Sequence, residues 1–490
     1  MRWIALASTI LLAGCVVESR VFCTDNTQCP KVAPFCDLTV NACQSAAVLV
    51  DGGADATPTN CTTSAMCGPA KPICDGGMCR ACVPVTDDGF CLNRNPATPF
   101  CAPNGQCEQC AKSSQCTQAG KTFCDGTTYQ CRPCLNADCP SGVCNKGTNV
   151  CVPGTNVYTV DATLCPSPSS PMFCTLQAAV TAAAGDSTIK DIVIKGNSSA
   201  YLQNISIMND ITIIGPYADA PPSKSPSIMP ATIQSSQNGI AVIQVGGTAH
   251  VTLDGVVVSG GTQTGGFGIS CFGAHLDIFR SVVTSNFDTG VVANSPCTLT
   301  IDQSIIGSTS GSVGNGGGGI KIVDTSSTIQ NSFIVGNGNM NANIQAVTYS
   351  FSAVPPAETF YNNTVADNNG KGGTAGIQCL GVSGGTMIGF YNTIFWQNYA
   401  NPVAGKVLAE TSGFCLDHYS ATDDAAAFIS GDHIVKLGGA NPPPGFVAAG
   451  DYHIQANSAC VAQGTTVSAP LYDIDGDARG PANDIGADQH

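Results

Sequence analysis

Charge is scarce in this 490-residue chain: Asp, Glu, Lys and Arg make up 11% of it, against roughly 25% in an ordinary soluble domain. Basic residues are the scarcer kind, 19 against 34 acidic, for a net charge of −15. Up to residue 154 ten Lys and Arg stand against eleven Asp and Glu, but from 155 onward nine stand against twenty-three, so the negative charge belongs to the second part. This disfavours a nucleic-acid partner, because phosphate binding needs clustered Lys and Arg. Tryptophan is limited to two residues and histidine to six, none before His250. Beyond the first residues no apolar run approaches the ~20 needed to span a bilayer. What the chain has instead is 55 glycines and 28 cysteines, with many Ser, Thr and Asn, a composition of turns and short strands. Its length suggests about two to four domains.

The chain opens MRWIALASTILLAGC, with one positive charge at Arg2, an apolar stretch from Trp3 to Ala13 and small residues before Cys15. This is the pattern of a secretory signal over 1–14. Leu12-Ala13-Gly14-Cys15 resembles the bacterial lipobox, which implies a lipidated Cys15 and a short tether over 15–22. Two or three acyl chains hold a protein far better than one, each buried CH₂ contributing ~0.8 kcal/mol. The alternative is an ordinary signal peptide with a chance cysteine. Val16 stands where an aspartate-retention rule places Asp, which favours the outer membrane or cell surface. No sorting tail follows at the other end, so Cys15 is the expected membrane anchor.

Twenty cysteines fall between Cys23 and Cys151 in five groups of four: 23/29/36/43, 61/67/74/79, 82/91/101/107, 110/116/124/131 and 134/139/144/151. The texts PFCD, PICD, PFCA and TFCD mark them as repeats. In an exported chain an even set at repeating intervals reads as a disulfide framework over 23–153, whose connectivity spacing does not give. Zinc held by paired Cys-x-x-Cys is the rival; an oxidising compartment and the lack of early histidine disfavour it. Residues 45–60, small, acidic and Gly/Pro-containing, read as a flexible linker. The segment as a whole has the character of a stalk or small binding module.

From Tyr158 the pattern changes. A short helix is expected over Leu176–Ala184, then strands over 191–196 and 210–215. A seven-residue text follows: GVVVSGG at 255, RSVVTSN at 280, QSIIGST at 303, NSFIVGN at 331, NNTVADN at 362 and NTIFWQN at 392, spaced by 25, 23, 28, 31 and 30. Short apolar strands at such a period describe a solenoid whose coils bury their inner faces against their neighbours. These residues, with the opening TVDATLC…LQAAV and the ending YDIDGDARGPANDIGADQH over 472–490, resemble the right-handed parallel β-helix family. That is the fold used by pectate lyases, here in its choice-of-anchor bacterial branch; Gln489 replaces the usual closing Glu. The resemblance covers 155–490 and implies that 176–184 caps the open end of the coil stack, hiding an unpaired parallel edge. The expected fold is therefore all-β, a right-handed parallel β-helix preceded by a disulfide-rich, loop-rich repeat region.

Seven cysteines remain in the second part. Cys165–Cys174 is a candidate local loop, Cys271–Cys297 and Cys379–Cys415 are candidates to tie nearby coils, and Cys460 is the candidate for an unpaired thiol.

Aligning the coils puts Asp254, Phe279, Asp302, Gln330, Tyr361 and Tyr391 in one outward column, and Gly255, Arg280, Gln303, Asn331, Asn362 and Asn392 in the next. The asparagines, with Asn286, Asn337, Asn368 and Asn398, read as structural, their amides bonding along the stack. An eliminative lyase needs acidic residues, commonly with Ca²⁺, and a Lys or Arg base; Asp254, Arg280 and Asp302 are the nearest catalytic set, Lys321 with Asp324 the next. Neither is dense, and the hydrolase motifs of the fold are missing. Tyr361 and Tyr391, with Trp396 nearby, are candidates for glycan binding. Asp473, Asp475, Asp477 and Asp484 have the alternation of a Ca²⁺ loop, with Ala478 where an EF-hand needs Gly; calcium is the one cofactor suggested. The resulting expectation is a surface-anchored, non-catalytic lipoprotein that binds glycan or serves adhesion or envelope structure. The alternatives are a polysaccharide lyase or glycoside hydrolase, and a purely structural envelope protein.

Overall fold

The structure, a computed structural model, describes residues 61–490 apart from 118–120, 146–147, 165–169, 225–226, 310–313, 339–344, 353–357, 371–372, 382–386, 401–407, 409, 425–432 and 439–441. It also describes the strand pair Phe35–Asp37 and Ala42–Gln44. The signal segment 1–14, Cys15, the tether 15–22, the linker 45–60 and Cys165 lie outside the described residues. The chain divides into two compact units, Met1–Pro133 and Cys134–His490.

In the first unit each described cysteine group closes on a two-stranded antiparallel hairpin: Ile73–Asp75 with Met78–Arg80, Phe100–Cys101 with Cys107–Glu108, and Phe123–Cys124 with Cys131–Arg132. The third and fourth cysteines of a group face each other across the hairpin, yet the bonds run from first to third and from second to fourth. They are Cys61–Cys74 and Cys67–Cys79, Cys82–Cys101 and Cys91–Cys107, Cys110–Cys124 and Cys116–Cys131. Because the sulfurs are bonded to one another, they are not free to hold zinc. The apolar clusters here are little more than cystines and Ile73. Cross-links of this loop size, each contributing about 3 kcal/mol, replace the core that such short repeats cannot build.

The second unit starts at Cys134, and the fifth cysteine group packs onto the solenoid. Its bonds Cys134–Cys144 and Cys139–Cys151 follow the same rule. Val143, with the partly buried Val152, joins Val157, Val193, Ile214 and Ala218 in one apolar cluster. The backbone N–H groups of Asn136 and Ala137 donate to the Asp219 carboxylate at 2.8 and 2.7 Å.

The solenoid is a parallel β-helix. Among the described residues three parallel sheets of eleven, ten and eight strands run side by side, and successive coils contribute one strand to each. One coil shows the plan: His250–Asp254 in the eleven-stranded sheet, Val257–Ser259 in the ten-stranded sheet and Ile269–Phe272 in the eight-stranded sheet. The next coil begins at His275. Many of the corners place a residue in the left-handed region. Between the first two sheets these are Gly255, Arg280, Gln303, Asn331, Asn362, Asn392 and Tyr419, with φ between 46° and 75°. Asparagine tolerates this conformation better than most side chains. At Gly255 a side chain is impossible, since a Cβ there would lie 2.1 Å from the Ala218 backbone nitrogen.

Inside, side chains stack by coil: Ile213, Leu253, Ile278, Ile301, Ile329 and Phe360 occupy one register column. The core turns aromatic toward the C-terminal coils, with Tyr349, Phe351, Phe360 and Phe390 fully buried. Helix Leu176–Ala184 starts on a Thr175 cap and buries Leu176, Ala179, Val180 and Ala183 over the first coils. Its Gln177 side chain accepts the Ser206 backbone N–H at 2.8 Å, occupying a donor of an edge strand that otherwise faces open solvent.

A second asparagine column locks the next corner. Asn286, Asn315, Asn337 and Asn368 each donate their side-chain amide to the following member, ending on Asn398, at 2.8, 3.0, 3.0 and 2.8 Å. Asn398 then donates to the buried Glu410 carboxyl. Cys271–Cys297 and Cys379–Cys415 tie neighbouring coils. Cys174 is disulfide-bonded, and Cys460 is free and buried, its thiol pushed up to about 12 by burial.

Candidate functional site

Outward residues of the eleven-stranded sheet form a column along the solenoid axis: Val193, Ile214, Asp254, Phe279, Asp302, Gln330, Tyr361, Tyr391 and His418. Its chemistry follows its cover. Val193 and Ile214 are apolar where the fifth cysteine group lies on them, and beyond that edge the column becomes carboxylate, amide and aromatic.

A groove of about 450 Å³ opens at this edge, within the range of small-ligand sites. Val143 and Asn145 form one wall, while Asp191, Asp254, Arg280 and Asp302 rise from the sheet. Asp254 and Arg280 form a two-pronged ion pair, Nε to Oδ1 at 2.9 Å and Nη2 to Oδ2. The guanidinium is placed there by the left-handed corner at Arg280. Asp302, one coil beyond Arg280, accepts from Gln330 Nε2 at 3.1 Å and Asn331 Nδ2 at 3.0 Å. Burial raises the Asp302 carboxyl above its ordinary range despite those bonds and the nearby Arg280. Asp191 is raised by burial alone. The groove thus combines a fixed ion pair with two carboxyls whose proton affinity burial raises. The three residues singled out in the sequence come together here, and Asp191 joins them from a strand whose text gave no sign of it.

Farther along, Tyr361 and Tyr391 stack at 4.7 Å with 10° between their planes, and His418 continues the stack at 4.7 Å and 13°. Because the rings lie face to face along the axis, they offer solvent their edges and polar groups, not an open platform. Trp396 does not join them. It ends a strand of the ten-stranded sheet and is packed between the apolar clusters under the C-terminal segment, because the corner between Tyr391 and Ile394 has already turned the chain onto the next face. Lys321 is exposed on the eight-stranded sheet and Asp324 holds Ser352, so that pair lies away from the groove.

The C-terminal segment 472–490 is a clasp along the Gln303–Asn331–Asn362 corner. Gln303 donates to the Asp473 carbonyl at 2.7 Å, Arg479 to Asn331 Oδ1 at 3.0 Å and to the Ala487 carbonyl at 2.7 Å. The four aspartates proposed for calcium are spent on separate donors. Asp473 accepts the Asp475 and Asp477 amides, and Asp475 accepts from Ser223 and faces His453. Asp477 pairs with Lys224, and Asp484 takes the Ala462 and His490 amides. These four carboxylates are not gathered into one cluster; each is hydrogen-bonded or ion-paired to its own protein partners. His453, which burial alone would lower, is raised to about 9 by Asp475 and Asp451.

The sequence reading also passed over His250, His275 and Asp277, which adjoin on the same outward face. Strand alternation puts His275 and Asp277 on one face, and the coil register brings His250 beside them.

No protein-family model matches the chain, and comparison with curated proteins gives no match. Among solved structures the chain is similar to pectate lyase Pel9A, with 14% identity over 68% of this chain and 96% of that one, at a TM-score of 0.36. It is also similar to the pectin methylesterase from Aspergillus niger in deglycosylated form, with 13% identity over 59% of this chain and 92% of that one, at a TM-score of 0.30.

Proposed function

We propose that the groove and the column leading from it bind a neutral or amino-sugar oligosaccharide without cleaving it, on a chain held at the cell surface by lipid on Cys15. The observation that carries this reading is the convergence of Asp191, Asp254, Arg280 and Asp302 at the mouth of one groove. Sugars present many hydroxyls in fixed directions, and a set of paired charges, carboxyls and amides satisfies both their donors and acceptors. Gln330 and the edges of Tyr361, Tyr391 and His418 extend the polar track by one step of ~4.8 Å per coil. The acidic excess of this half of the chain disfavours uronate polymers. Calorimetry with neutral, amino and acidic oligosaccharides tests the reading: binding of the first two that Arg280→Ala abolishes supports it, and binding confined to uronates opposes it.

A hydrolase is the second reading, favoured by the raised Asp302 carboxyl beside a carboxylate fixed by Arg280. Asp254 and Asp302 sit two coils apart, about 9–10 Å, near the separation of an inverting carboxyl pair. Release of reducing ends by wild-type protein and not by Asp302→Asn would establish it. For the anchor, detergent partitioning of wild type against Cys15→Ser is decisive: a water-soluble wild type would remove the lipid.

A further inference from the structure

We propose that His250, His275 and Asp277 form a site for a divalent transition metal of the zinc class on the outer face of the eleven-stranded sheet. His250 and His275 are register partners on adjacent coils, their rings 4.2 Å apart. Asp277, two residues along the second strand, sends one carboxylate oxygen to each: Oδ2 lies 2.7 Å from His250 Nε2 and Oδ1 lies 3.0 Å from His275 Nε2. The three ligand atoms all lie within 4.8 Å of one another. A tetrahedral zinc with ~2.1 Å bonds keeps neighbouring ligand atoms about 3.4 Å apart. The adjustment required is of the order of an ångström, and half-exposed imidazoles reach it by rotation alone.

Three further features suit a metal. Two imidazoles and one carboxylate are a borderline-soft set that suits zinc-class ions over calcium. The Thr298 hydroxyl, one coil on, is hydrogen-bonded to His275 Nδ1, the outer-shell contact that fixes a ring with Nε2 toward a metal. Asp277 is nearly buried, its side chain 12% exposed, whereas the histidines are 43% and 58% exposed. The carboxylate is thus held by the sheet and the open side faces water, leaving further coordination positions for solvent or an exogenous ligand.

The test is calorimetric titration of the full disulfide-bonded chain, prepared without a histidine tag, with Zn²⁺. His275→Gln and Asp277→Asn are compared with wild type, and His453→Gln serves as a control for the other histidine–carboxylate cluster. One saturable site weakened at least about tenfold by His275→Gln and by Asp277→Asn, with His453→Gln unaffected, is the expected result. Folding of each variant is checked by its metal-free circular dichroism; His250→Gln, at the most exposed position, replaces any that misfolds. Absence of saturable binding in wild type, or equal affinity in the variants, overturns the site.

Discussion

Asn337 donates its side-chain amide to the Asn368 side-chain oxygen at 3.0 Å and to the Ile306 carbonyl at 2.8 Å, while its own oxygen takes the Asn315 amide. With the Asn315 backbone N–H also donating to that oxygen at 3.2 Å, one buried side chain closes four bonds across neighbouring coils. Truncation leaves partners unpaired in the interior, where each costs about 1–3 kcal/mol. Asn337→Ala is expected to destabilise the solenoid by about 3–5 kcal/mol, read as a lower denaturation midpoint. Asn197→Ala, on an exposed loop, is expected to change it little.

Acidification is expected to stabilise the folded chain. Burial raises Glu358 from 4.5 to about 8 and holds Glu410 and Asp417 well above their ordinary values; carboxyl contacts raise His453 to about 9. In each case the folded state binds protons more tightly than the unfolded one. Their contribution is complete below the unfolded values and lost as pH rises through the folded ones. The melting temperature should therefore fall between about pH 5 and 9, and Glu358→Gln should flatten the slope. A melting temperature rising over that range would contradict the burial of these groups.

The C-terminal clasp rests on Arg479, buried enough to lower its guanidinium to about 10 and bonded to Asn331 and to the Gly486 and Ala487 carbonyls. Arg479→Ala should cost about 2–4 kcal/mol and increase proteolysis of the last residues. Excess Ca²⁺ should leave the melting temperature unchanged, since Asp473, Asp475, Asp477 and Asp484 are already satisfied; a calcium-dependent rise would return that loop to the metal sites.

The disulfide rule is checked by peptide mapping under non-reducing conditions. First-to-third and second-to-fourth linkage is expected in each described group, with Cys460 alkylated only after denaturation. Pairing of the facing cysteines, such as Cys74 with Cys79, would contradict it.

The coil register was legible because the seven-residue text repeats where the chain turns between the first two sheets. Asp254, Phe279, Asp302, Gln330, Tyr361 and Tyr391 consequently fall in register as the spacing implies. Irregular coils hid the rest. Asn315 follows residues that interrupt the text, and Glu410 ends the asparagine ladder with a different side chain only twelve residues after Asn398. Trp396 follows Tyr391 closely in sequence yet belongs to another sheet. The bonding order within the N-terminal cysteine groups and the cover supplied by the fifth group are not given by spacing, whereas the coil-tying pairs Cys271–Cys297 and Cys379–Cys415 were legible in the sequence. His250 and His275 repeat at the same 25-residue interval as Gly255 and Arg280, but outside the seven-residue text that marks the coils.

Saccharide recognition at the groove is tested most directly by calorimetric titration of neutral and amino-sugar oligosaccharides into wild type, Arg280→Ala and Asp302→Asn. Saturable binding by wild type, weakened at least about tenfold in each variant as expected for loss of a charged hydrogen bond, is the predicted result. Binding that is undiminished in both variants, or no binding of any saccharide by wild type, would contradict it.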